Sequence, residues 1–331
     1  MFPRRVVTRR AATALSVAVT TTAVLAAAAL AQPASALAQP ATALAQPATA
    51  ASGTLWAASS AGVAARSAAV GAGSGGAATK GGQLVRAGGQ VQWIECRGKV
   101  GVAGRPTVVL VSGLGAGHHY WGAVPTGLAA TGRVCWYDRP GLGNSSYRRG
   151  PSVVSAADHA AELVALLARV GETSPMIFVG HSYGGLLVRA VGTRYPGLTA
   201  GMVLVDASYS KQWQTDSRYW PEGGGWIDMA ATGALVYRKP QLGSKPLGVI
   251  TAGIDSSDNW RANQAYMATL SRNSFQVTVP NASHVVMATH ANSVIRAVNR
   301  VRTSVRHQRP MPPCNSPSPT YWSQVGAYCG S

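Results

Sequence analysis

Acidic residues are scarce in this 331-residue chain: 11 Asp and Glu stand against 29 Lys and Arg, a formal charge of +18. Any chemistry that needs a carboxylate therefore has few candidates. Cysteine occurs only four times, too seldom for a small scaffold built on disulfides. Charged residues make up 12% and hydrophobic residues 47%, which excludes the charge-dense, weakly hydrophobic composition of a disordered chain and permits one large core. The bases are scattered along the sequence, and no zinc-finger, helix-turn-helix or RNP-type pattern accompanies them, so nucleic acid is not an expected partner.

The N-terminus reads as an address rather than as part of a fold. Arg4, Arg5, Arg9 and Arg10 precede an apolar, Ala-rich run over residues 11–31, and Ala34-Ser35-Ala36 has the small-x-small pattern of a cleavage site. Residues 1–36 are expected to be an export signal, by the Sec or the twin-arginine route, and the protein secreted. An uncleaved membrane anchor is the rival reading, but Ala and Thr dominate the run. Cleavage would remove four Arg and no acid, leaving 25 bases against 11 acids, a net +14. Three near-identical heptads begin at Leu30, Leu37 and Leu44, and the Pro in each rules out a coiled coil. Residues 37–82, rich in Ala, Pro and Gly, are expected to form a disordered linker.

From residue 83 onward short apolar runs alternate with helical patterns, the rhythm of an α/β fold with a mostly parallel sheet. Eight strands are predicted: 83–86, 91–97, 107–111, 134–137, 176–179, 202–205, 247–251 and 276–279. The clearest helix spans 155–170, where Ser155 caps, Asp158 stands three residues on, and Leu163, Leu166, Leu167 and Val170 recur at helical spacing. The chemistry enters at Gly180-His181-Ser182-Tyr183-Gly184, between an apolar strand and a helical run. A sharp turn there would hold the Ser182 hydroxyl clear of the backbone at a helix N-terminus, and the flanking glycines would let strand and helix approach.

With these landmarks the chain resembles the α/β-hydrolase superfamily over about residues 83–306. Four motifs carry the resemblance in the family's order: Val108-Val-Leu-Val-Ser-Gly-Leu-Gly115, Tyr137-Asp-Arg-Pro-Gly-Leu-Gly-Asn-Ser145, the Ser182 elbow, and Asn281-Ala-Ser-His284 ahead of a final helix. One departure is visible, Ser112-Gly113 where the family usually has His-Gly. The resemblance implies an eight-stranded mostly parallel sheet flanked by helices, with a small lid after strand 6. A serine hydroxyl needs a base within reach and a carboxylate to orient that base. The resemblance makes Ser182 the nucleophile and His284 the base, with Asp206, at the end of the sixth strand, or Asp255, after the seventh, as the acid. Asp206 is favoured because the family's usual acid lies three residues beyond a Gly, and here that position is Ser256. The backbone amides of Leu114 and Tyr183 would form the oxyanion hole. His181 is expected to pack beneath the turn, His118 and His119 to line the pocket, and His159, His290 and His307 to lie on helix surfaces.

Residues 207–245 read as the lid, with Trp213, Trp220 and Trp226 as substrate contacts around a flexible Gly223-Gly224-Gly225. In the superfamily's sheet Cys96 and Cys135 fall on neighbouring strands, which implies one disulfide, and leaves Cys314 and Cys329 to close the Pro-rich tail, residues 307–331, so that it holds Tyr321 and Trp322 against the body. No metal and no cofactor is expected. Arg296, Arg300, Arg302, Arg306 and Arg309 could form a basic stripe toward an anionic cell wall or membrane surface. The function expected is an exported serine esterase or lipase-like enzyme acting on a small ester or lipid with an apolar acyl or aryl group. The alternatives are a peptidase or amidase on the same scaffold, and a surface-binding protein that kept the fold without turnover.

Overall fold

Alternation along short apolar strands sets the layering, because successive side chains point to opposite faces of a sheet. In the computed structural model, which describes residues 81–99, 105–214, 216–237, 242–254 and 256–330, this alternation divides the core in two. On β3 (Val108–Val111), Val109 and Val111 face one cluster while Val108 and Leu110 face the other. The export signal and nearly all of the linker lie outside the described residues, as does Asp255.

In chain order the remaining elements are β1 (Gln83–Ala87), β2 (Gln90–Arg97), α1 (Val124–Ala129), β4 (Val134–Tyr137), β5 (Val153–Val154), α2 (Ala156–Arg169), β6 (Met176–His181), α3 (Tyr183–Arg194), β7 (Thr199–Val205), β8 (Tyr219–Glu222), β9 (Gly225–Asp228), α4 (Met229–Tyr237), β10 (Leu247–Ala252), α5 (Asp258–Ala268), β11 (Ser274–Val279), α6 (Val286–Thr289), α7 (Ala291–His307) and β12 (Tyr328–Cys329). The large sheet has the order β1-β2-β4-β3-β6-β7-β10-β11-β12. It is parallel from β4 to β11 and antiparallel at both margins. All eight expected strands are in it. The ninth, β12, comes from the tail, a two-residue edge strand too short to read from sequence.

Helices α2, α3 and α4 cover one face, and α1 and α7 the other. α2 starts where Ser155 caps it: the serine hydroxyl accepts from the Ala157 amide while Asp158 accepts from the Ser155 amide. Its stripe buries Leu163, Leu166 and Leu167 completely, about 1.5–3 kcal/mol for each side chain.

A disulfide joins Cys96 to Cys135, which pair across β2 and β4, and a second joins Cys314 to Cys329. Trp322 is buried, its indole nitrogen donating to the Cys314 carbonyl at 2.7 Å. The guanidinium of Arg300 donates to the carbonyls of Pro312, Pro313 and Ser316, which ties the tail to α7. The expected basic stripe is thereby corrected: Arg300 and Arg302 are buried on backbone carbonyls, and Arg296 lies over the Tyr321 ring. Spaced arginines on a long helix look like a charged face in sequence, but here Arg296 and Arg300 receive the tail and Arg302 meets the end of α1, leaving Arg306 and Arg309 exposed.

The segment expected to be a lid is also more tightly held than its glycines suggest. β8 and β9 form a hairpin with Gly223 and Gly224 both at positive φ, as a two-residue turn requires, and β9 pairs with β5 in a second, three-stranded sheet. The turn lies against Pro140 and Gly141 so closely that a Cβ on Gly223 would stand 2.2 Å from the Pro140 carbonyl oxygen. Trp213 and Trp220 pack on the core cluster as the segment's own anchors, and Trp226 is exposed on β9. Two of the three are thus held by the segment's own packing.

Candidate active site

The parallel order β3-β6-β7-β10 brings the C-terminal ends of these strands to one edge, and the candidate residues lie in the segments that leave it. Between β6 and α3 the chain turns at Ser182, whose φ is 51° and ψ −123°. A non-glycine residue there is strained, and the surroundings must hold it. They do so through the Ser182 amide, which donates to the Val205 carbonyl, and the Ser182 carbonyl, which accepts from Gly185 and Ser208. The glycines are obligatory: a Cβ on Gly180 would stand 2.3 Å from the Gly184 carbonyl oxygen, and one on Gly184 2.2 Å from that of Val111.

Asp206 leaves β7 at a φ of 41°, the second of only three described non-glycine residues at positive φ. Its carboxylate is buried. Oδ1 accepts from the Ala252 amide and from the Trp260 indole nitrogen, both at 2.9 Å, and Oδ2 meets His284 Nδ1 at 2.6 Å. With both bonds to Oδ1 made, the carboxylate is fixed and Oδ2 is directed at the imidazole. The His284 carbonyl oxygen bonds His181 Nε2 at 2.9 Å, and the two imidazoles lie 4.8 Å apart, so His284 is tied to the residue preceding Ser182. The His284 side chain remains 46% exposed, and no hydrogen bond joins the Ser182 hydroxyl to another group among the described residues. Such bonds are commonly loose until substrate arrives.

The loop after β3 supplies the amides. Gly113 faces the elbow, since a Cβ built on it would lie 3.1 Å from Ser182 Cβ. Arg139 donates to the carbonyls of Ser112 and Gly113. Across the planar trans peptide the Leu114 amide must then point away from Arg139. Glu222, on β8, takes Arg139 through both oxygens at 2.7 Å and accepts the Gly115 amide at 2.8 Å. The side chains of this pair are 2% and 3% exposed. Burial alone would raise the Glu222 carboxyl, but the Arg139 guanidinium holds it below its ordinary 4.5. Neither the Leu114 nor the Tyr183 amide has an acceptor among the described residues.

Two histidines act as neutral struts. His159, expected on a helix surface, is buried with Nδ1 2.8 Å from the Tyr183 hydroxyl, and burial lowers it to about 3. α2 packs on α3 at that turn, which its local pattern does not reveal. Burial, with the charge of His284, lowers His181 to about 4. Both rings stay neutral in the folded protein, whereas the unfolded chain protonates them near 6.5. Below pH 6.5 the unfolded state therefore binds more protons, and stability falls as pH falls. Between pH 6.5 and 5 the loss is about 2 kcal/mol for each ring. Melting curves should show Tm dropping over this window and His159→Gln flattening the drop. A wild-type Tm constant from pH 7 to 5 contradicts the assignment.

His118 is committed elsewhere: its amide and Nδ1 both meet the Asp138 carboxylate, and its ring stacks on Trp93. His119 is exposed beside it. Cys96, Cys135 and Glu172 form the one cluster of ligand-type side chains among the described residues, but both sulfurs are in the disulfide and Glu172 is taken by Arg133 and Thr107.

Arg139, Glu222 and Trp260 escaped the sequence reading. Arg139 lies inside the motif at 137–145 and could have been flagged from it, whereas Glu222 and Trp260 carry no local signal.

A family model described as alpha/beta hydrolase fold matches residues 106–227. An AB hydrolase superfamily protein of Gibberella zeae is 35% identical over 116 residues, 33% of this chain and 35% of that protein. The chain thus matches little more than a third of the length of that curated relative. Among solved structures, a thermophilic esterase from Thermogutta terrifontis superposes with a TM-score of 0.52 at 20% identity, over 66% of this chain and 94% of that one. The haloalkane dehalogenase DbeA from Bradyrhizobium elkani USDA94 does so at 0.56 and 12%, over 69% and 99%. At these identities the likeness is one of fold.

Proposed function

The chain belongs to the α/β-hydrolase superfamily, and from that premise we propose that it is an exported serine hydrolase cleaving carboxylic esters through an acyl-enzyme. The observation that carries this reading is the 2.6 Å bond between His284 Nδ1 and a buried, doubly held Asp206, beside a strained Ser182. The fold alone does not choose the chemistry, since similar structures include an esterase and a dehalogenase. A serine at the elbow favours acyl transfer. In the proposed cycle Ser182 Oγ attacks the ester carbonyl while His284 Nε2 takes its proton. Asp206 holds the imidazole in the tautomer that can accept it and stabilises the imidazolium. The amides of Leu114 and Tyr183 receive the developing oxyanion. His284 returns the proton to the leaving alcohol, and water then repeats the sequence to free the acid. Export is supported by the N-terminal pattern at 1–36 and is compatible with two disulfides. The test is hydrolysis of p-nitrophenyl butyrate by the wild type and by Ser182→Ala, where equal rates would overturn the reading.

Arg139 and Glu222 act in this scheme as positioning residues. Glu222→Gln keeps the shape but removes the charge that Arg139 needs. It is expected to lower kcat by up to about 10²-fold with KM little changed, because the oxyanion is bound only in the transition state. A change confined to KM would place Glu222 in substrate binding instead.

A further inference from the structure

Arg189, on the second turn of α3, is 5% exposed and has no carboxylate partner among the described residues. Its guanidinium makes one protein hydrogen bond, to the Val236 carbonyl at 3.2 Å, leaving four of its five N–H groups without a protein acceptor. The other well-buried arginines make more bonds: Arg139 to Glu222 and two carbonyls, and Arg300 and Arg302 several each through their terminal nitrogens, although the Nε of both is left without a partner. Nor are the spare groups of Arg189 sealed in protein. They are absent from the fully enclosed, unpartnered polar atoms, and Arg189 lines a cavity of about 370 Å³. That cavity is walled also by Lys211, Tyr209, Tyr237, Asn259 and Asn263, and no acid among the described residues lines it. The nearest acids in sequence, Asp216 and Asp258, are bonded to Gln212 and Arg261. Lys211 sits at the rim with Nζ 4.6 Å from the centre of the Tyr237 ring.

An uncompensated buried cation is costly, and a site with spare guanidinium donors, a second cation and amide side chains has the chemistry to meet a carboxylate. We propose that this cavity is a binding site for a small organic carboxylate, held by Arg189 and Lys211 and packed against the rings of Tyr209 and Tyr237. The volume suits a molecule of a few carbons to one aromatic ring. The site is separate from the catalytic centre and does not depend on Ser182 being a nucleophile. It adjoins that centre through Tyr209, whose ring lies 6.2 Å from Trp260, the residue that holds Asp206.

The test is thermal unfolding of the full chain in anion-free buffer with added glutarate, phthalate or inorganic phosphate. Glutarate or phthalate at about ten times its Kd is expected to raise the wild-type Tm by about 3 °C or more, and phosphate by less. Arg189→Met should abolish the shift, while its own Tm without anion equals or exceeds that of the wild type. Should Arg189→Met fail to fold, the exposed Lys211→Met carries the test, with an expected rise of about tenfold in the half-saturating concentration. No shift with either carboxylate, a shift as large with phosphate, or one that persists unchanged in the variants, overturns the proposal.

Discussion

Ser182→Ala is expected to lower kcat for p-nitrophenyl butyrate by about 10⁶-fold, leaving a residue of about 10³-fold over water from the oxyanion amides and binding alone. The size follows from the loss of the covalent step: without Oγ there is nothing for His284 to deprotonate, and no acyl-enzyme forms. Because serine and imidazole act as a unit, His284→Ala should cost about as much, and the double variant no more than either single one. A double variant slower by the product of the two single effects would mean that the residues act independently. Folding provides its own control. The Ser182 hydroxyl makes no hydrogen bond with another described group, so Ser182→Ala should leave Tm nearly unchanged, and a large fall in Tm would make the lost rate uninformative about chemistry.

Asp206→Asn carries the next largest effect, a fall of about 10⁴-fold at neutral pH. The amide oxygen can still accept from the Ala252 amide and Trp260, so the side chain keeps its place. Its NH2, however, faces His284 Nδ1 where a carboxylate oxygen stood, which forces the ring proton onto Nε2. Nε2 can then no longer take the proton from Ser182 Oγ. Asp255→Asn, at the alternative position, is expected to leave the rate within about twofold. The reverse pattern, with Asp255→Asn collapsing the rate and Asp206→Asn tolerated, would transfer the orienting role to Asp255.

Much of the fold and part of the site were legible because their signals are local. The Ser155 cap and the leucine spacing of α2 belong to a single helix, and the elbow's glycines answer a steric demand made within five residues. Asp206 could be favoured from its place at a strand end. The misreadings share one feature: a local pattern was given a meaning that only neighbours could confer. Trp213 and Trp220 read as substrate contacts and pack on the core, and Arg296 and Arg300 of α7 read as part of a surface stripe and hold the tail. His159 looked exposed on its helix and is buried against Tyr183.

The amino-acid order by itself determined the strand and helix pattern, the presentation of Ser182 and the short list of acids, because these follow from backbone sterics and side-chain periodicity over a few residues. The tertiary structure decided what holds the site in place: Glu222 reaching Arg139 across 83 residues, Trp260 reaching Asp206 across 54, and Arg189 left without a counter-charge among the described residues, beside a cavity. Such contacts depend on which surfaces pack together once the sheet has formed, and no spacing along the chain encodes them.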